Sequence, residues 1–471
     1  MAASSEPTGE ISQAHDRERV KLRGVSHIIG YEAAERFAFY GMLAVLGMLM
    51  TSMAPPASEA ETRSFITWLG VAVACLAFIG AVVAEAFLGK FKTVLVGSVL
   101  ACAGYAVLVL SAPGMMAAGR WPILVLGLGL VALGTGAVKP CIAAHLGDQF
   151  QEANRHRLAK TFGWFYFVIH AAPLLAGVGF PHFVADNQNG LRWALALPLL
   201  ALAAGTMLLC SGRSRFVQIP PFGRSFRTEL FSREAGKAVG ALLGLYIFVA
   251  LFWIAWQQGA EAWARQASRM DLRLFSLQLL PEQVSTANVI FILLFVPLLN
   301  YAVYPLANRF VAVTPLRKIG AGLSLTGLSF GIAALLQYAI DGGARPAVGW
   351  QLVAWAFLTM GEVMVIVTAL ELSYTWAPRR IKSVVMSVWL LTFGVRGFSS
   401  QAGSVVGGGE GVSRMSDFTY YLFFAILMGV ATLIFAFVAK FYRYKTYLQS
   451  QEMPVEEVDA VAPTLGGGAP T

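Results

Sequence analysis

The sequence has 471 residues, 57% of them hydrophobic and only 13% charged, with a mean hydropathy of +0.64. Soluble domains run nearer about 45–50% apolar and about 25% charged, so the composition argues against a soluble fold and names lipid as the solvent. The formal charge of +9 does not call for a nucleic-acid partner, because the basic residues fall mainly in alternate loops between apolar segments, as orientation in a membrane requires.

Residues 1–26 are polar, carry Arg17, Arg19, Lys21 and Arg23, and hold no separate apolar run with a small-residue cleavage site. Residues 1–27 therefore read as a cytoplasmic N-terminal segment rather than a cleavable signal peptide. A bilayer core of about 30 Å needs about 20 apolar helical residues. Twelve stretches meet that test: 28–53, 65–89, 92–112, 122–147, 160–183, 191–210, 236–262, 284–307, 316–340, 347–376, 380–405 and 416–442. These long continuous runs are helices, not the short alternating strands of a barrel. Cys75, Cys102, Cys141 and Cys210 all lie inside them at spacings that match no metal or redox motif.

Basic clusters recur in the N-terminal segment, at Lys90 and Lys92, at Arg155, Arg157 and Lys160, and from Arg213 to Arg233. They return at Arg309, Arg317 and Lys318, at Arg379, Arg380 and Lys382, and at Lys440, Arg443 and Lys445. This places both termini in the cytoplasm of a multi-pass protein of the cell membrane, with an even number of spans. Arg265, Arg269 and Arg273 fall on the other side, which a helical extension of the seventh span would accommodate. The basic loop at 211–235, with Pro220 and Pro221, separates six spans (28–210) from six (236–446), and the tail from Gln449 is expected to be disordered. The expected fold is thus an all-α membrane protein of about twelve transmembrane helices in two six-helix halves around a central site.

Charges inside the spans mark that site, because a charge at the bilayer centre costs about 2.5–3.5 kcal/mol on insertion scales. Glu32 and Arg36 are four apart on one helix face with Glu35 beside them and Tyr40 one turn on. Two carboxylates sharing one guanidinium carry one excess negative charge, which favours a proton; a salt-bridged helix end is the alternative. Lys139 lies among small residues in the fourth span, and either faces a cavity or snorkels to the interface. Glu362 in the tenth span is the deeper acid, and Glu371 the one nearer the edge. A Lys139–Glu362 pair bridging the halves is the expected switch for alternating access.

At these residues the sequence resembles the proton-coupled oligopeptide transporter family of the major facilitator superfamily. The matching segments are Glu32-x-x-Glu35-Arg36 with Tyr40-Gly41, Glu85 to Thr93, Gly134 to Pro140 with Asp148-Gln149-Phe150, and Phe165-Tyr166 with Ile169. In the second half they are Phe252-Trp253 with Gln257-Gln258-Gly259, Asn288 through Tyr304-Pro305-Leu306, Gly361-Glu362 through Ala377-Pro378, and Lys382 through Thr392. The resemblance implies the major facilitator fold and import of di- and tripeptides by proton symport. It assigns Glu32, Glu35 and Arg36 to proton coupling, and the expected switch, in which a proton on Glu362 weakens its bridge to Lys139, adds Glu362. Lys139 would attract the peptide carboxylate, Glu362 and Asn288 would receive the amino group, and Tyr40, Trp253 and Trp389 would line the cavity. No cofactor other than the coupling proton is implied. The partners are a small peptide and the lipid bilayer, and the expected state is monomeric.

Several positions depart from the family's pattern. Leu43 replaces a second arginine and Gln257 its acidic partner, a mutually compatible loss because no uncompensated charge remains. Trp256 replaces the acid found in other members. His170 stands where asparagine contacts peptide, so it is either a satisfied cavity histidine or a pH-sensitive substrate contact. Arg396 stands near an asparagine position and either snorkels or pairs within the cavity. These departures keep open another solute on the same scaffold, such as nitrate, a modified amino acid or a peptide-like drug. A non-transporting receptor is the alternative of a different class; no nucleotide loop, metal-ligand cluster or nucleophile motif indicates an enzyme.

Overall fold

In the computed structural model the backbone is described for residues 8–113, 115, 120–184, 188–406, 415–441 and 446–447; the side chains of 8–23, 181–183, 188–189, 282 and 396–406 are not. The expectations for Arg396 and for the tail from Gln449 lie outside the described residues.

Among the described residues the apolar runs fold into twelve long helices. The first six are α1 (Thr8–Thr51), α2 (Glu59–Leu88), α3 (Lys90–Leu110), α4 (Arg120–Gly147), α5 (Leu158–Val184) and α6 (Gln188–Ser211). The second six are α7 (Arg233–Ala267), α8 (Gln283–Ala307), α9 (Pro315–Asp341), α10 (Gly349–Trp376), α11 (Lys382–Val406) and α12 (Asp417–Ala439). Eleven are long and apolar enough to cross a bilayer; α11 contributes a shorter described apolar segment, Lys382–Val395. Their ends follow local chemistry: Ser58 and Glu61 form a reciprocal cap at the start of α2, Thr314 caps α9, and Ser416 caps α12.

Two details differ from the sequence reading. The polar N-terminal segment continues α1, which begins at Thr8. α7 does extend, but only to Ala267, so it carries Arg265 and neither of the later arginines. Arg269 instead pairs with Asp417 at 3.5 Å, and Arg273 opens a short hairpin in which it faces Gln278. The basic linker holds a 3-10 turn, Arg213–Arg215, and a short helix, Arg224–Leu230.

Within the halves, α3 packs on α4, α1 on α5 and α6, α9 on α10 and α12, and α7 on α11. Without a hydrophobic drive between helices in lipid, such contacts depend on small residues that let backbones approach. A Cβ at Gly134 would lie 2.3 Å from the Gly97 carbonyl oxygen and 2.6 Å from the Ala101 nitrogen. Among the described residues, π-helical turns interrupt the spans at Ala84–Leu88 at the end of α2, Leu299–Val303 in α8 and Val363–Val367 directly after Glu362 in α10. Each adds a residue to a turn, which re-aims the side chains around it.

The halves meet through α2 and α4 on α11, and through α5 on α8 and α10. On one face, where Gly24 of α1 meets Phe216 and Tyr447, beyond α12, bonds to Thr375 (the chain-end face), the halves are hydrogen-bonded. The Glu85 carboxylate of α2 accepts from the Ser383 backbone N–H of α11 at 2.7 Å. The Tyr374 hydroxyl of α10 donates to Asp148, just past α4, at 2.9 Å. Trp164 of α5 donates to the Tyr301 hydroxyl of α8 at 3.1 Å.

Candidate functional site

The helical spacing of Glu32, Glu35 and Arg36 brings them together as expected. Arg36 Nε donates to Glu32 Oε1 at 2.7 Å and lies 3.6 Å from Glu35 Oε2. All three are buried, with Glu32 fully enclosed. Among the described residues, Glu32 Oε2 and both Glu35 oxygens have no hydrogen-bond partner. One guanidinium does not satisfy two buried carboxylates, and a proton is the smallest species that removes the excess charge and adds a donor.

Lys139 is where the structure corrects the sequence reading. It does not pair with Glu362: its Nζ sits over the Phe39 ring of α1, 4.7 Å from the centroid. It lies in the electrostatic field of Arg36, Glu35 and Glu32, with no carboxylate within ion-pair distance among the described residues. The azimuth of α4 turns Lys139 toward α1, where an aromatic face supplies part of its environment.

Glu362 is held by other partners. Tyr166 of α5 donates to its Oε1 at 2.7 Å, and Trp256 Nε1 of α7 donates to its Oε2 at 2.8 Å. Asn288 of α8 donates to the same Oε2 at 2.8 Å and to Thr359 at 3.0 Å. Four helices thus converge on one buried carboxylate, and the Tyr166 bond crosses between the halves. His170, one turn after Tyr166, places Nε2 4.0 Å from Glu362 Oε1 and Nδ1 3.0 Å from the Tyr166 carbonyl oxygen. Its ring is 4.4 Å from that of Tyr166, and its side chain is 23% exposed.

The remaining candidates divide. Trp253 and Trp389 are both buried and enclose Phe393, at ring distances of 4.6 and 5.0 Å. They form an aromatic wall under the site surface. Tyr40 is 39% exposed and meets Phe39 edge-on. Gln257 donates to Glu261 at 2.8 Å, one turn further along α7 and away from the Glu362 cage.

A second polar centre, on the chain-end face, was not assigned from sequence. Lys90 Nζ donates to Asp148 Oδ2 at 2.7 Å and lies 3.6 Å from Glu85 Oε1. The carboxylates of Asp148 and Glu85 receive Tyr374 and Ser383 from the other half. Lys382, fully buried, donates to the carbonyl oxygens of Tyr374 and Tyr447, both at 2.7 Å. Tyr447 in turn donates its backbone N–H to Thr375 and its hydroxyl to Glu234, at 2.7 and 2.6 Å. Burial and the Glu234 carboxylate push that hydroxyl up to about 12, so it remains a donor at neutral pH. Lys90, Asp148 and Lys382 were visible in sequence as charges at apolar boundaries, but nothing in the pattern told which would meet across the halves. Tyr166 and Trp256 stood out in sequence only as part of a motif and as the replacement of an acid; that both donate to Glu362 depends on helix azimuths that residue spacing does not give.

The comparisons agree with this geometry. A family model described as the POT family matches residues 91–236 and 232–404. The chain is 30% identical over 363 residues to peptide transporter family 1 of Drosophila melanogaster, covering 69% of this chain and 49% of that protein. It is 29% identical over 367 residues to solute carrier family 15 member 1 of Oryctolagus cuniculus, covering 67% and 52%. The chain thus spans about half the length of these curated relatives. The crystal structure of an auto-inhibited POT family peptide transporter superposes with a TM-score of 0.62 at 25% identity, covering 91% of this chain and 99% of that one. With matches across both halves and the fold in common, the chain belongs to the POT family.

Proposed function

We propose that this protein is a proton-coupled symporter that imports di- and tripeptides by alternating access. One observation carries the reading. A buried carboxylate, Glu362, is fixed by donors from α5, α7 and α8 in one part of the interior. A lysine, Lys139, lies with no carboxylate at ion-pair distance among the described residues in the other half. A dipeptide zwitterion needs an anion for its amino group and a cation for its carboxylate. Asn288 supports the first and Arg36 the field around the second. The aromatic wall of Trp253, Phe393 and Trp389 backs the space with surface that tolerates varied side chains.

Coupling follows from the α1 cluster. With a proton on one of Glu32 or Glu35, the pair and Arg36 sum to neutrality. Losing it restores a negative charge that competes with the substrate carboxylate for Arg36 and Lys139. The Glu85, Asp148 and Tyr374 contacts seal the chain-end face, which we assign to the cytoplasm, so this conformation presents the centre to the opposite side. One chain supplies both halves and both charged centres, and a monomer in the cell membrane suffices. The test is uptake of labelled Ala-Ala into proteoliposomes. Accumulation that requires an inward proton gradient supports the assignment; a protein that passes folding controls yet takes up no peptide would move it to another solute.

A further inference from the structure

The basic linker folds back over the start of α3 as a strap pinned at both ends. At one end Gln149, just past α4, donates from Nε2 to the Val217 carbonyl oxygen at 3.2 Å and accepts the Val217 N–H at 2.9 Å. At the other the Phe222 N–H donates to the Glu85 carbonyl oxygen at 2.8 Å. Between them Pro220 and Pro221 stiffen the backbone and bring no N–H of their own. Gly89, at φ +80°, lets the turn between α2 and α3 pass close beneath, since a Cβ there would lie 3.4 Å from the Ile219 carbonyl oxygen. Strap, turn and the end of α4 enclose a cavity of about 230 Å³. That is smaller than the about 300–1,000 Å³ of sites for drug-sized ligands.

The cavity wall is cationic and rich in donors. Lys90 and Lys92 line it, and among the described residues no carboxylate does. Lys90 is already paired with Asp148 and Glu85, so the exposed Lys92 supplies the positive charge. Here α3 begins, at Lys90, with no side-chain cap. An α-helix leaves its first N–H groups without intrahelical partners and carries partial positive charge at that end. A second, separate feature points to a ligand. His145 of α4 lines the same cavity and is 1% exposed, and its Nε2 has no hydrogen-bond partner among the described residues. Phe216 and Phe91 hold the ring, at 5.1 and 6.1 Å. A buried polar atom without a partner is uncommon in a folded protein, and a neutral imidazole is able to present N–H at Nε2.

We propose that this cavity binds a phosphate group, as a monoester or diester, held by the first amides of α3, Lys92 and His145 Nε2. The tetrahedral oxygens of a phosphate reach donors on several walls at once, and its charge matches both the lysine and the helix end. The headgroup of an anionic lipid and a free phosphate share this chemistry. The site lies apart from Glu362 and Lys139 and does not depend on the peptide reading.

The purified full chain in detergent is titrated with sodium phosphate, against sodium chloride at matched ionic strength, and binding is read by calorimetry. The thermal unfolding midpoint is read in nanodiscs of phosphatidylcholine with and without phosphatidylglycerol. Saturable phosphate binding supports the site with a free source. A rise in the midpoint that needs phosphatidylglycerol, without a phosphate response, supports it with a lipid headgroup. Lys92→Gln and His145→Phe, which keeps an aromatic ring, should each weaken phosphate binding about tenfold or more, as loss of a hydrogen bond to an ionised group requires, and should remove most of a lipid-dependent rise. Absence of both responses in wild type overturns the proposal. So does a response of parental size in either folded variant; should His145→Phe fail to fold, the surface variant Lys92→Gln decides alone.

Discussion

Replacing Tyr374 by Phe removes one hydroxyl from the seal between the halves and leaves the ring in place. That hydroxyl donates to Asp148 Oδ1 at 2.9 Å, and the ring packs against Gly147 and, 6.1 Å away, Phe162. Packing is therefore conserved, while among the described residues Asp148 retains its Lys90 bond at 2.7 Å. A hydrogen bond to an ionised group contributes about 1.5–3 kcal/mol. Because it exists only while the chain-end face is closed, its loss should shift the open-to-closed ratio by about tenfold to a hundredfold. Spin labels at Glu152 and Phe310, exposed positions on that face in different halves, report the separation by double electron–electron resonance. Tyr374→Phe should add or enlarge a long-distance population. A distance distribution that matches the parent pair would refute the idea that this bond helps hold the face closed.

Other outcomes test the remaining parts. Glu35→Gln should abolish gradient-driven accumulation of Ala-Ala while preserving counterflow exchange, because a neutral side chain no longer releases a proton; gradient-driven uptake at the parental level would remove Glu35 from the coupling cluster. Lys139→Ala should weaken Ala-Ala more than its C-terminal amide, read by competition for labelled peptide, and equal loss for both would contradict the assigned role. Glu362→Gln should lower affinity for Ala-Ala by at least tenfold, since a charged acceptor is lost, and should leave N-acetyl-Ala-Ala little changed. Gly134→Ala should cost about 1–3 kcal/mol through overpacking against the α3 backbone and lower the thermal unfolding midpoint. Gly129→Ala, where an added Cβ meets nothing within 4 Å, should not.

Much of the architecture was legible because lipid makes it so. A backbone in hydrocarbon must satisfy its hydrogen bonds internally, so each apolar run of sufficient length becomes a helix, and the twelve runs reappear as α1–α12. The Glu32–Arg36 bond was legible for a similar reason: it is local, and an i, i+4 spacing fixes its geometry before any tertiary contact forms. The Glu362 cage was not. It depends on the azimuths of α5, α7, α8 and α10, and the π turn at Val363–Val367 changes the last of these immediately after the acid. Residue type and depth suggested a partner for Glu362 and chose Lys139. The helix rotations chose Tyr166, Trp256 and Asn288 instead, and turned Lys139 onto Phe39. The replacement of an acid by Trp256 looked like a loss in sequence, yet in the folded protein its indole N–H is one of the donors that fix Glu362.

The central claim is that proton and peptide enter together. It is tested most directly in proteoliposomes loaded with a pH-sensitive dye, under an inside-negative potassium diffusion potential and with no initial pH difference. Addition of Ala-Ala should acidify the lumen, and Glu35→Gln should remove that response. Entry of labelled Ala-Ala without lumenal acidification would contradict the account.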